Sequence, residues 1–181
     1  MRVLKSVLAA MTALALITAA PGAMAQATSK AGAQAGADQA PAVMVPDSDP
    51  AMEAAIADAR RTLPIFWRMY DSPPEGTGNY QVNVALPTTT GALEYIWLVV
   101  QSHDANTVTG KIDNPPEHLA GMVYGQVITV KTEVIADWMY AKNDKLWGNF
   151  TTRVMLKYSP PDVVEQMNAV LSPTPMESGR P

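Results

Sequence analysis

The chain has 181 residues, with 13 lysines and arginines, 17 aspartates and glutamates, and no cysteine. The formal charge of −4 at neutral pH disfavours nucleic acid and anionic membrane surfaces as partners, because like charges repel. The lack of cysteine excludes disulfides, thiolate zinc sites, iron–sulfur clusters and a lipid anchor on cysteine.

The N-terminal residues 1–25 have the pattern of a secretory signal peptide. Arg2 and Lys5 precede an uncharged apolar run, and Ala23-Met24-Ala25 supplies the small residues that signal peptidase accepts. Neither this run nor any later segment reaches the roughly 20 apolar residues of a transmembrane span. We therefore expect cleavage after Ala25 and a periplasmic or secreted protein, whose net charge is −6 from 11 basic and 17 acidic residues.

Residues 26–48 are predicted to form a disordered linker. The segment is rich in Ala, Gly and Gln and contains no aromatic residue. Such a composition buries too little apolar surface to offset the entropy lost on ordering.

A helix is predicted to begin after Asp49, which can cap it, with Pro50 in its first turn. Apolar residues follow at helical spacing up to Leu63. Pro64 is expected to end or kink this helix, and a second short helical turn should follow before a loop over 72–76.

The pattern then changes to the alternation that is typical of β-strands. Residues 80–86 alternate between apolar and polar, and residues 95–100, apolar on both faces, are predicted to form the central strand. Further strands are predicted at 107–112, 126–134, 136–141, 145–149 and 151–156. An amphipathic helix should cover 159–172, and the tail over 173–181 should be unstructured.

These elements predict one α+β domain over 49–158, followed by the C-terminal helix. Its parts are an N-terminal helix, a predominantly antiparallel and strongly twisted sheet of about five to seven strands, and a short C-terminal helix. A body of this length can bury one hydrophobic core.

Several spaced motifs in this region resemble one bacterial family. They are Glu94-Tyr95-Ile96-Trp97, Gly110-Lys111-Ile112-Asp113-Asn114-Pro115, Asp137-Trp138-Met139 and Gly148-Asn149-Phe150-Thr151-Thr152-Arg153. Together they are similar to the YegJ-like domain of unknown function, over roughly Asp49 to Leu156. The resemblance implies a compact bacterial domain, sometimes exported, with no established activity. Tyr95 departs from the family pattern, which favours His at this position, and this weighs against acid–base chemistry there.

Eight polar or aromatic residues of the predicted sheet and its loops are candidates for binding. They are Glu94, Trp97, Asn114, Asp137, Trp138, Trp147, Asn149 and Arg153. Trp138 and Trp147 flank a predicted turn, so their rings can form a flat ligand surface or, alternatively and more in keeping with a small domain, staple the hairpin. Trp97 and Trp67 are interpreted as core residues, and Asn114 before two prolines as a turn former.

The two histidines, His103 and His118, lie in predicted loops, each beside a carboxylate. We interpret both as solvated loop residues, because further metal ligands at a coherent spacing are missing. No metal or cofactor is expected.

Two functional hypotheses remain. The first is a binding or protein-interaction module of the cell envelope, with a protein or a small molecule as its partner and homodimerisation left open. The second is an envelope hydrolase or lyase with Glu94 or Asp137 as general base, assisted by His118 or Arg153. The second hypothesis requires Glu94, Asp137 and Arg153 to converge in an open cleft.

Overall fold

The computed structural model describes residues 49–177 and, further towards the N-terminus, two paired antiparallel strands of two residues, β1 (Lys5–Ser6) and β2 (Val43–Met44). The rest of the predicted signal peptide and linker lies outside the described residues, as do residues 178–181.

The N-terminal helix α1 (Pro50–Asp71) is a single helix of 22 residues. Asp49 caps it as predicted, with its carboxylate 2.8 Å from the backbone nitrogen of Ala51. Of the two outcomes predicted for Pro64, an end or a kink, the end is excluded, and the separate turn expected beyond it is part of α1. Buried residues lie on both sides of the proline, Thr62 before it and Phe66 after it. Their packing offsets the roughly 3 kcal/mol that an interior proline costs.

Six strands form one sheet in which every neighbouring pair is antiparallel. They are β3 (Thr77–Pro87), β4 (Leu93–His103), β5 (Thr107–Ile112), β6 (Val127–Lys131), β7 (Ile135–Lys142) and β8 (Lys145–Gly148). Their order is β6-β5-β4-β3-β7-β8, so the predicted central strand is one of the two inner strands. The predicted α+β class, with its twisted antiparallel sheet, is confirmed.

The chain after β8 differs from the sequence prediction. Residues 151–156, predicted as a strand, lie largely in the helix α2 (Phe150–Met155). Gly148 and Asn149 both have positive φ, 75° and 55°, and this turns the chain out of the sheet. A second difference is smaller: the predicted strand 126–134 ends at Lys131 and continues as a 3₁₀ turn, Thr132–Val134.

The core lies between α1 and one face of the sheet and is rich in aromatic rings. Phe66 of α1 contacts Trp138 and Tyr80, and Trp138 also contacts Tyr140 and Phe150. Trp138 is 1% exposed, and its indole nitrogen donates to the carbonyl of Ala59 at 2.9 Å. This bond fixes β7 against α1.

The C-terminal segment follows α3 (Pro161–Val170) and returns to the sheet. Leu171 pairs with Leu146 in a parallel bridge on β8. Residues 173–177, for which the sequence predicts no structure, also contact the sheet: Gly148 donates to the carbonyl of Pro175 at 2.9 Å, and Glu177 forms an ion pair with Lys142. Among the described helices, none is long and apolar enough to cross a membrane.

Candidate functional site

Asp137 of β7, a predicted candidate, has no exposed surface. Its carboxylate accepts hydrogen bonds from the backbone nitrogens of Trp138, Phe150 and Thr151 and from the Thr151 hydroxyl, the last at 2.6 Å. Burial raises the pKa of Asp137 from 3.8 to about 6, although these hydrogen bonds oppose the increase. The carboxylate thus caps α2 from a neighbouring strand, with every contact inside the fold.

Arg153 of α2 binds the C-terminal segment. Its Nη1 and Nη2 donate to the carbonyl and the hydroxyl of Ser172, each at 2.9 Å, and its Nε donates to the carbonyl of Gly148. Burial lowers the pKa of Arg153, and the charge of Asp137 opposes this. Its hydrogen bonds therefore connect α2, β8 and the C-terminal segment.

Two buried nitrogens near this helix have no hydrogen-bond partner among the described residues. They are Trp147 Nε1 and Asn149 Nδ2. Asn149 is 2% exposed and accepts from the Thr152 hydroxyl at 3.3 Å. Trp147 lies opposite Tyr140 in the β7–β8 pair, so its cross-strand neighbour is not Trp138. The two tryptophans of the predicted surface therefore do not form a directly opposed pair.

Glu94 and Asn114 hold the loop after β5 against β4. Glu94, 6% exposed, accepts from the backbone nitrogens of Glu117 at 2.6 Å and His118 at 2.8 Å. The Asn114 side-chain oxygen accepts from the backbone nitrogen of Trp97 at 2.7 Å, rather than bonding within its own turn. Trp97 itself is half-buried.

The three charged residues of the catalytic hypothesis are thus engaged separately. Glu94 binds the loop after β5, Asp137 binds the start of α2, and Arg153 binds the C-terminal segment. Within residues 49–177 no hydrogen bond or ion pair joins any two of them. Their binding roles remain predictions, but their geometry does not form an open cleft.

A different part of the molecule contains an open groove of about 390 Å³ between α1 and the β4–β5 turn. Its lining consists of Arg60, Leu63, Pro64, Trp67, His103, Asp104, Ala105 and Thr132. The α1 residues among them recur at spacings of three and four, which places them on one side of the helix. That spacing was visible in the sequence, but the strand turn facing it was not.

His103 closes one end of the groove, and its interpretation as a solvated loop histidine was wrong. Its ring stacks on Trp67, with centroids 4.1 Å apart and planes 10° apart. Its Nε2 lies 2.9 Å from a carboxylate oxygen of Asp71, and its side chain is only 17% exposed. His118, by contrast, is exposed as predicted.

Arg60 supplies the positive charge of the groove. Its Nε donates to the carbonyl of Ile135 at 2.8 Å and its Nη2 to that of Glu133 at 3.4 Å. Within residues 49–177 Arg60 has no ion-pair partner. Burial raises the pKa of the Tyr95 hydroxyl, and the positive charge of Arg60 opposes this increase.

Asp104 lies at the His103 end of the groove, and its carboxylate accepts hydrogen bonds from residues of its own turn. It accepts from the backbone nitrogens of Asn106 and Thr107, both at 2.7 Å, and from the Thr107 hydroxyl at 2.8 Å. These hydrogen bonds hold the pKa of Asp104 below its usual value, and the bond from the backbone nitrogen of Asn106 has the largest effect. About two turns of α1 separate Arg60 from Trp67, on which the ring of His103 stacks, so the cation lies towards one end of the groove and Asp104 towards the other. In the described part of the chain, no three His, Asp or Glu side chains are grouped to hold a metal.

Comparison with known proteins identifies the family. Residues 49–168 match the family described as "Uncharacterized protein conserved in bacteria (DUF2314)". The chain belongs to this family. It is also 30% identical over 121 residues, 67% of this chain and 77% of the other, to "Uncharacterized protein YegJ" of Escherichia coli (strain K12). No solved structure matches the chain. The predicted YegJ-like membership is therefore confirmed.

Proposed function

We propose that this DUF2314 domain is an exported binding module, and that the groove between α1 and the β4–β5 turn is its ligand site. The observation that carries the proposal is the groove itself: a concave surface of about 390 Å³ with an apolar wall and charged ends.

The dimensions and composition of the groove suit a small molecule. Ligand sites are typically concave, of roughly 300–1,000 Å³, mostly apolar, with a few polar groups that fix orientation. Leu63, Pro64 and Trp67 supply the apolar wall, while Arg60 and Asp104 supply polar groups at its ends. The stacking of His103 on Trp67 fixes the wall in place before any ligand arrives, which lowers the entropic cost of binding.

The alternative of a hydrolase or lyase has less support. A raised carboxylate pKa is typical of catalytic acids, and Asp137 has one. However, a general base must reach its substrate, and Asp137 is fully buried, with hydrogen bonds from α2 on its carboxylate. We therefore favour binding over catalysis at these residues.

Export is proposed from the sequence of residues 1–25, with its basic start, apolar run and small residues before the expected cleavage point. The test is fractionation of the native host followed by mass spectrometry of the N-terminal peptide. A periplasmic or secreted chain that begins at Gln26 supports export, and an intact chain that remains in the cytoplasm contradicts it.

Native mass spectrometry of the protein isolated from its own envelope fraction tests the binding function. We expect additional mass of small-molecule size that is lost on denaturation. Ala105→Trp should fill the groove from its exposed rim and abolish this mass, whereas Ala120→Trp, at an exposed loop position outside the lining, should retain it. Bare protein in all three samples, or equal retention by both variants, would count against a ligand site in the groove.

A further inference from the structure

The charge of Arg60 defines the chemistry of the ligand that the groove takes. Arg60 is exposed, and its hydrogen bonds go to the backbone carbonyls of Ile135 and Glu133, which carry no net charge. The side chain of Glu133 is paired with Lys131 at 3.2 Å instead. These two carbonyls hold the guanidinium in place, and its remaining donors suit a carboxylate, which matches the planar fork of arginine.

The opposite end of the groove repels an anion and favours an apolar group. Asp104 is negatively charged there, and the adjacent surface consists of Trp67 and the ring of His103 stacked on it. A ligand with a carboxylate at only one end is therefore oriented, with that end at Arg60 and its apolar end at Trp67.

The helix sets the distance between these two ends. Arg60 and Trp67 are separated by seven residues, about 10 Å along the axis at about 1.5 Å per residue. Pro64 and Leu63 lie between them and provide the apolar wall. A ligand that reaches both ends is therefore elongated, with its carboxylate and its apolar group separated by a similar distance.

We propose that the groove binds a small amphiphilic carboxylate, anchored by Arg60 and packed along Leu63, Pro64 and Trp67. This inference rests on the proposed binding function and adds the class of ligand to it.

The test compares 6-phenylhexanoate with its neutral amide and with the shorter phenylacetate. Affinities are measured by calorimetry, and the site by the NMR shift of the Trp67 indole N–H, assigned with a Trp67→Phe variant. We expect the long carboxylate to bind at least about tenfold more tightly than its amide, as a charged hydrogen bond contributes this much. Phenylacetate should bind more weakly than the long acid, because it cannot span the groove.

Variants of neighbouring arginines provide the matched control. Arg60→Gln should remove the preference for the acid over the amide, while Arg61→Gln should keep it, because Arg61 is paired with Asp58 on the exposed surface. Arg60→Lys retains the charge and should keep part of the preference. If Arg60→Gln does not fold, the wild-type protein still decides: added salt should weaken binding of the acid and leave the amide unchanged.

The outcomes separate this inference from the proposed function. Equal affinities for acid and amide, with a shift at Trp67, would overturn the carboxylate assignment and leave the groove as a binding site. An acid that binds without a shift at Trp67, or no binding by any of the three probes, would overturn the inference too. The proposed function is decided independently, by the mass retained in Ala105→Trp and Ala120→Trp.

Discussion

The buried carboxylate of Asp137 allows a test that depends on the sign of a pH effect. Asp137→Asn keeps the shape of the side chain but replaces one acceptor oxygen by a donor facing hydrogen-bond donors of α2. The variant should lose about 1–3 kcal/mol of stability at pH 7, because buried donors lose their acceptor. This loss of stability alone does not show whether the fold prefers the protonated or the ionised form of Asp137.

The pH dependence makes that distinction. The pKa of Asp137 is about 6 in the folded state, against 3.8 for the ordinary group. Between pH 3.8 and 6 the carboxyl group is therefore mostly protonated in the native state and mostly ionised in the unfolded chain. The free energy of unfolding therefore rises as pH falls through about 6, and the gain is complete below 3.8. A difference of about 2 pH units corresponds to about 3 kcal/mol in total. The stability advantage of the wild type over Asp137→Asn should be about 2 kcal/mol larger at pH 4 than at pH 7.

Urea unfolding followed by tryptophan fluorescence at pH 4, 5, 6 and 7 measures this advantage, since other titrating groups affect both proteins alike. Asp144→Asn, in the exposed β7–β8 turn, is the control for removal of one negative charge. An advantage that shrinks towards pH 4 would contradict a raised pKa for Asp137. It would mean that the hydrogen bonds from α2 outweigh burial and hold the pKa of Asp137 below 3.8.

Three further substitutions test the packing around the sheet. Gly148→Ala should lower the free energy of unfolding in urea by more than about 3 kcal/mol, because its Cβ would lie 2.2 Å from the carbonyl oxygen of Trp138. The control Gly121→Ala, also at positive φ but with open space around it, should lower it by only about 1 kcal/mol. Equal losses in the two variants would exclude the clash as the cause. Glu94→Ala should accelerate amide hydrogen exchange in the loop after β5, and unchanged exchange there would show that the carboxylate does not hold it. His103→Ala should lower the midpoint of thermal unfolding by removing a stacked ring and a hydrogen bond with Asp71, which an unchanged midpoint would contradict.

Local signals in the sequence were sufficient for most of the fold. Asp49 and Pro50 mark the start of α1 because capping depends on neighbouring residues alone. Alternation of apolar and polar residues located the strands, because one face of the sheet packs on the core. The prediction of a strand at 151–156 was wrong because the residue that caps α2 is distant in the sequence. Its cap, Asp137, lies 14 residues before Thr151, and alternation alone cannot report such a contact.

The candidate site was harder to predict than the fold. The wall of the groove on α1 follows from helical spacing, but its other wall, the β4–β5 turn, depends on how the sheet packs against the helix. His103 illustrates the difficulty. In sequence its neighbouring carboxylate is Asp104, whereas in the fold its partner is Asp71, 32 residues away. Asp104 instead binds the backbone of its own turn.

The polar residues that stood out in the sequence have a common structural role. Asp137, Glu94 and Arg153 each bind a segment outside the regular ladders: α2, the loop after β5 and the C-terminal segment. In a domain without cysteine these hydrogen bonds provide cross-links that a disulfide would otherwise supply. Their loss should therefore reduce stability before it affects binding, whereas substitutions of Arg60 or Ala105 should change binding in a protein that remains folded. If variants of the first group lose stability and variants of the second group lose binding alone, the groove is the functional surface. If both groups lose stability and binding together, the assignment of the groove fails.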